Sequence, residues 1–145
     1  MKIGDLENRC IGKTIVICGA GPSLNKYSPI EGAVHIALNR AILKKEIRFD
    51  YMVSVDYTAI SGIKEQIYEA KDMIKIFGTV KGPDESLIPE ELYQMNKVIR
   101  FDVSDDIDSH LFHGELTADI SSSPLRYYQS VAVTALQIAL YMKPE

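Results

Sequence analysis

The chain has 145 residues, a length typical of one domain with a sizeable hydrophobic core. Its formal net charge of −4 argues against nucleic-acid binding through a basic surface. No apolar run approaches the length of a membrane span, the N-terminus lacks the apolar segment of a signal peptide, and two cysteines are too few for a disulfide framework. The composition therefore predicts a cytoplasmic protein with neither a membrane span nor a nucleic-acid partner.

Strand and helix patterns alternate along the chain. Short apolar segments predict strands at residues 14–18, 34–38, 51–55, 73–77 and 98–101. Helical composition predicts helices at residues 40–46 and 59–70, the second with an apolar stripe of Ile60, Ile63 and Ile67. This alternation predicts an α/β fold, a Rossmann-like open parallel sheet with helices on both faces. We expect a single nucleotide-binding domain over residues 1–145.

Residues 130–142 predict a helix that is apolar on nearly all sides. The expected inward stripe is Ala132, Ala135, Leu136, Ala139 and Leu140. The opposite side is apolar as well, so the helix should be buried on more than one face. Because such a helix normally leads into another strand, we expect the domain to be truncated at its C-terminus.

A glycine-rich turn follows the first predicted strand and is the strongest functional signal. Gly19 and Gly21 lack Cβ, so the backbone there can turn sharply and approach a ligand closely. Ala20 lies between them, Pro22 suits a first helical position, and Ser23 can cap a helix or bond a phosphate oxygen. The pattern is neither the dinucleotide G-x-G-x-x-G nor a Walker P-loop. It predicts a phosphate site, and the alternative is a turn that needs glycine only for its geometry.

Polar residues also follow the next two predicted strands. Asn39 and Arg40 come after the second strand, and Asp56 follows the third. In open parallel sheets, ligands bind outside the carboxyl ends of the strands, near the switch in strand order. The N-terminus of the last helix, at Ser130, could face the same site. For Asn39 and Asp56 the alternative is ordinary turn and capping chemistry.

The segment 102–128 is acidic and has no sustained apolar period. It is a candidate lid or acceptor loop, with Arg126, Tyr127 and Tyr128 at its base, and the alternative is a solvated surface loop. Its carboxylates lack a recognised metal-binding spacing, so we predict no metal ligands.

Three strings together resemble a known superfamily: Gly-Ala-Gly-Pro-Ser-Leu, Ile-Ala-Leu-Asn-Arg-Ala and Asp-Tyr-Met-Val-Ser-Val-Asp. They are similar to Rossmann-like transferases that include motility-accessory-factor glycosyltransferases and 6-hydroxymethylpterin diphosphokinases. Single-domain bacterial sialyltransferases have a similar turn. The resemblance implies that the strand ends bind the nucleotide of an activated donor. The residues it implicates are Gly19, Gly21, Ser23, Asn39, Asp56 and the helix start at Gln129 and Ser130.

The expected function is therefore a glycosyltransferase-like domain that binds a nucleotide-activated sugar of the CMP-sugar type. It would serve surface-glycan or flagellin modification, with a glycan or protein acceptor. One alternative is a diphosphokinase-like enzyme that uses ATP and Mg²⁺, with Asp56 near the metal. Another is a non-catalytic nucleotide-binding module. Ala20 and Asp56 stand where the sialyltransferases have asparagine, and the sequence identifies no catalytic residue.

Overall fold

The computed structural model describes residues 1–79, 87–104, 119–122, 124–126 and 130–145. The predicted site residue Gln129 lies outside the described residues, as do Tyr127, Tyr128 and most of the candidate lid. Of that segment, residues 102–104, 119–122 and 124–126 are described. Residues 102–104 belong to a strand, and Leu125–Arg126 form another.

The strands are β1 (Ile15–Cys18), β2 (Val34–Leu38), β3 (Tyr51–Ser54), β4 (Ile74–Thr79), β5 (Val98–Ser104) and β6 (Leu125–Arg126). They form a parallel sheet in the order β1-β2-β3-β4-β5-β6. β6 pairs with the carboxyl end of β5 over two residue pairs, so five strands make the body of the sheet. The predicted open parallel sheet is confirmed.

Successive side chains of each strand point to opposite faces of the sheet and pack in different clusters. On β4, Ile76 belongs to a cluster with Ile36, Val53 and Ile138, whereas its neighbour Phe77 belongs to a separate cluster. We call the two sides of the sheet the α3 face and the α1 face, after the helices α3 (Val131–Tyr141) and α1 (Lys64–Glu69) that pack on them. Burial on both faces explains why these strands read as continuous apolar runs.

Short helices cover the α1 face. They are 3₁₀-helices at Pro22–Lys26, Asn39–Leu43 and Ser61–Ile63, with α1 (Lys64–Glu69) and α2 (Glu90–Tyr93). The predicted stripe is buried here, since Ile60, Ile63 and Ile67 pack with Phe77 of the sheet. The helix predicted at 40–46 was wrong in type and extent. The helical part of the twelve residues that join β2 to β3 begins one residue earlier, at Asn39, and ends at Leu43 as a 3₁₀-helix.

The α3 face is covered by α3 (Val131–Tyr141) and by an N-terminal 3₁₀-helix at Ile3–Leu6. The inward stripe predicted for α3 was wrong in part. Ala135 and Ala139 are buried, but Leu136 and Leu140 are 46% and 52% exposed. Their places in the core are taken by Ile138 and Tyr141, which we expected on the opposite side of the helix, and by Met142 just beyond it. With apolar residues around the whole helix, periodicity alone could not decide which side faces the sheet.

The sequence predicted a site near a switch in strand order, and the order of the described strands does not have one there. Every described neighbour in the sheet follows in chain order, so no switch in strand order lies among the described strands. β1, which leads into the glycine turn, is an edge strand of this described sheet. In the described residues, no helix is long and apolar enough to cross a membrane.

Candidate functional site

The glycine turn leaves backbone donors free at the carboxyl end of β1. Gly21 is the N-cap of the following 3₁₀-helix, Pro22 is its first residue, and Ser23 is exposed. No described carbonyl accepts a hydrogen bond from the N–H groups of Ala20, Gly21 or Ser23. A five-residue 3₁₀-helix contributes little dipole, so these N–H groups would themselves provide the attraction for an anion.

The sequence suggested two reasons for Gly19 and Gly21: a sharp turn of the backbone, and close approach of a ligand. Neither Gly19 nor Gly21 has a positive φ, so the backbone conformation does not require glycine at either position. A Cβ on Gly19 would meet no atom within 4 Å, and a Cβ on Gly21 would meet only the Ser23 hydroxyl at 4.0 Å. The space beside both residues is open, as close approach of a ligand to the backbone would need.

A cleft of about 490 Å³ opens beside this turn. Its lining includes three predicted residues of the turn, Ala20, Gly21 and Pro22, together with the predicted Arg40. The remaining lining residues were not predicted from the sequence: Leu24, Asn25, Ala41, Leu43 and Lys44. The cleft therefore combines free backbone N–H groups, two cations and an apolar wall, and its volume is in the range of small-molecule sites.

The two cations of the cleft are held in different ways. Arg40 donates from Nε to the carbonyl of Ala59 at 3.0 Å, which leaves its terminal nitrogens able to donate to a ligand. Lys44 pairs with Glu46 at 3.4 Å, and its side chain is only 21% exposed. The backbone N–H of Glu46 and then Lys44 hold the pKa of the Glu46 carboxyl below its ordinary value. Lys44 lies four residues after Arg40, a spacing that could have revealed it in the sequence.

Asn39 lies just past β2 and contacts β3. The buried Ser54 hydroxyl donates to Oδ1 of Asn39 at 2.8 Å, and it also lies 3.3 Å from the carbonyl oxygen of Asp56. Asn39 has φ of +50°, a left-handed conformation that asparagine tolerates better than most residues. Ser54 was not singled out in the sequence, because a serine inside an apolar strand is an ordinary occurrence.

Asp56 performs turn chemistry in this structure. Its Oδ1 accepts from the backbone N–H of Thr58 at 2.8 Å and from the Thr58 hydroxyl at 2.7 Å. Its other carboxylate oxygen has no partner among the described residues. Within the described ranges, no group of three or more His, Cys, Asp or Glu side chains is placed to hold a metal ion.

Ser130 is the N-cap residue of α3, as predicted, although its side chain makes no capping hydrogen bond. The other end of the helix bonds near the start of β1, since Asn8 and Cys10 donate to the carbonyls of Tyr141 and Met142. α3 therefore runs opposite to the strands, and its N-terminus lies toward their carboxyl ends. Ser130, Asn39, Asp56, Gly19 and Ser23 do not line the cleft itself.

Cys18, at the end of β1, is 4% exposed and unpaired with its only other cysteine. Burial raises the pKa of its thiol, so the neutral form is favoured and the residue behaves as a small apolar side chain. It does not line the cleft.

Comparisons with protein-family models, with curated proteins and with solved structures find no match for this chain.

Proposed function

We propose that the protein binds a nucleotide at the cleft beside the glycine turn, as the donor site of a transferase that uses a nucleotide-activated sugar. The observation that carries this proposal is the cleft itself. Its lining brings together Arg40 with Ala20 and Gly21, whose backbone N–H groups have no partner among the described residues. Both kinds of donor favour a phosphate group.

The other lining residues suit the rest of a nucleotide. Leu24, Ala41 and Leu43 give an apolar surface of the kind on which a base or sugar ring packs, and Asn25 offers both a donor and an acceptor. Asn39 would contribute its side-chain amide from the adjacent strand end. A nucleotide monophosphate, as in a CMP-sugar, would supply a ring for this apolar surface and a phosphate for these donors.

The first experiment is calorimetric titration with CMP, CDP, UDP and ATP, each with and without Mg²⁺, of wild-type protein and Gly21→Ala. The added methyl has free space and an allowed φ of −74°, so stability should change by less than about 1 kcal/mol. The methyl would keep a phosphate away from the backbone N–H groups. A lost hydrogen bond to a charged group then predicts roughly tenfold or greater weakening of CMP binding.

Gly12→Ala is the matched control. Gly12 has φ of +70° and open space, so alanine there is strained and lowers stability without touching the cleft. Its CMP affinity should equal that of the wild type. Equal CMP affinity in Gly21→Ala would place the nucleotide elsewhere, and a folded wild-type protein that binds none of the four nucleotides would overturn the proposal.

One observation favours a second candidate, a diphosphokinase that uses ATP and Mg²⁺. The second carboxylate oxygen of Asp56 has no described partner and could ligate a hard cation. Asp56→Asn keeps the acceptor for Thr58 but removes the charge, so it tests this role with little effect on the turn. Metal-dependent ATP binding that this variant loses would favour the diphosphokinase. Nucleotide binding without any transfer would favour a non-catalytic module.

A further inference from the structure

We infer that Ser54 is a positioning residue for the proposed nucleotide site, which it serves by fixing the side-chain amide of Asn39. The inference rests on the proposed function and goes beyond it, because Ser54 does not line the cleft. It begins from the hydrogen bond of 2.8 Å between the Ser54 hydroxyl and Oδ1 of Asn39. This bond joins two neighbouring strand ends, one of which carries a predicted ligand-binding residue.

The sheet register places Asn39 between Ser54 and the glycine turn. Leu38 pairs with Val53, so the next step along both strands sets Asn39 beside Ser54, as the hydrogen bond requires. β2 lies between β1 and β3 in the sheet, Cys18 at the end of β1 pairs with Ala37, and Asn39 is the second residue after Ala37. Asn39 therefore follows the strand that lies between the one leading into the glycine turn and the one ending at Ser54.

The chemistry of the amide then decides what it offers to a ligand. Its carbonyl oxygen is taken by Ser54, so the planar group directs its NH₂ arm away from β3. No described residue accepts from this arm. Asn39 is thus held as a donor, and it would select a ligand atom that accepts, such as a phosphate oxygen or a carbonyl oxygen of the base.

Ser54 is suited to hold the amide still. The residue is fully buried at the end of β3, and its hydroxyl also lies within reach of the Asp56 carbonyl. A buried serine has few rotamers available, so its hydroxyl remains at one place. Asn39 for its part keeps a left-handed φ of +50°. Preorganisation of this kind lowers the entropy that a ligand must overcome on binding.

The test is a double-mutant cycle on CMP affinity with Ser54→Ala, Asn39→Ala and the double variant. Ser54→Ala should weaken CMP binding roughly fivefold to tenfold, the effect of one hydrogen bond. If Ser54 acts through Asn39, the double variant should bind CMP no worse than Asn39→Ala alone. Ser61→Ala is the control, since its hydroxyl makes only a long hydrogen bond of 3.4 Å to the carbonyl of Thr58 at an exposed position.

Two further variants keep the inference falsifiable. Ser54→Cys preserves the side-chain size with a weaker donor, so its CMP affinity should fall between those of wild type and Ser54→Ala. Asn39→Asp can still accept from Ser54 but donates nothing, so it should remain folded and lose CMP binding. Wild-type affinity in Ser54→Ala, or additive losses in the cycle, would overturn the inference and leave the proposed function standing. A folded wild-type protein that binds none of CMP, CDP, UDP and ATP would overturn both.

Discussion

The two faces of the sheet differ in the helices that cover them and in the polarity of their buried side chains. On the α3 face, one eleven-residue helix far along the chain packs on aliphatic side chains such as Ile36, Val53 and Ile76. On the α1 face, each cover is a short helix placed directly between two consecutive strands. The α1 face also buries polar groups, Lys75 and Ser54, whereas the strand side chains of the α3 face form a continuous apolar cluster.

This difference suggests that the α3 face mainly stabilises the fold and that the α1 face carries the residues that bind a ligand. The α3 face joins distant parts of the chain through apolar burial, the dominant favourable term in folding. The short connections of the α1 face emerge from the carboxyl ends of β1, β2 and β3, so they bring backbone N–H groups and polar side chains to one edge. Loops placed by a rigid scaffold are where binding residues concentrate in general. We therefore expect packing changes to act mainly through the α3 face and ligand-binding changes through the α1 face.

The largest expected effect is at α3. Ile138 is fully buried against the sheet, so Ile138→Ala should lower the free energy of unfolding by about 2–5 kcal/mol. Leu136→Ala is the matched control, because Leu136 is 46% exposed and its truncation should cost less than about 1 kcal/mol. Urea denaturation of both variants measures the difference. Equal losses would mean that the helix packs on both sides and that the comparison of faces is wrong.

The next largest loss of stability is expected from overpacking the α3 face. A Cβ on Gly78 of β4 would lie 2.7–2.8 Å from the side chains of Val55, Phe101 and Val103. Gly78→Ala should therefore cost about 1–3 kcal/mol, since these neighbours must move within a packed core. Gly62→Ala is the control on the α1 side, where the new methyl would meet only the Arg40 guanidinium at 3.5 Å. Thermal unfolding that shifts equally in both variants would contradict the expectation.

The sequence was informative about the sheet because local apolar runs determine parallel strands directly. Val34–Leu38 was predicted with its observed bounds, and the other four predicted strands differ at their ends by one to three residues. β6 has only two residues, too few to give a pattern, and was missed. α3 was located, yet its buried side was not, because that side is set by the distant strands that it packs against. Periodicity cannot supply that information when every side is apolar.

For the candidate site, the turn and Arg40 could be named from the sequence. The missing Cβ of glycine and the charge of arginine do not depend on the neighbouring residues. The pairing of Asn39 with Ser54 could not, because it depends on the register between β2 and β3. Lys44 is the C-cap residue of the 3₁₀-helix after β2, so its place beside the cleft depends on where that helix ends. Long-range geometry therefore decided which of the polar residues share a surface.

The smallest expected effect concerns the buried cation of the α1 face. Lys75 is 1% exposed on β4, and its amine donates to the carbonyl of Ala70 just past α1. Burial, with the nearby Lys97 adding to it, lowers the pKa of Lys75 below its ordinary value of 10.5, and Asp72 opposes the shift. Lys75→Met removes the charge but leaves the Ala70 carbonyl without its donor. These two effects oppose each other, so the free energy of unfolding should change by about 1 kcal/mol at pH 7.

The pH dependence isolates the contribution of the charge. Between the lowered pKa in the folded state and 10.5, the unfolded chain binds more protons at Lys75 than the folded one. The stability of the wild type relative to Lys75→Met should therefore rise as the pH increases through this window. Burial also raises the pKa of Tyr51 and Tyr93, which lowers stability at high pH, but this occurs in both proteins and cancels in the difference. Parallel urea titrations from pH 7 to pH 10.5 measure it. A difference that stays constant would mean that Lys75 is solvated in the folded protein, and the α1 face would then be less closed than its burial indicates.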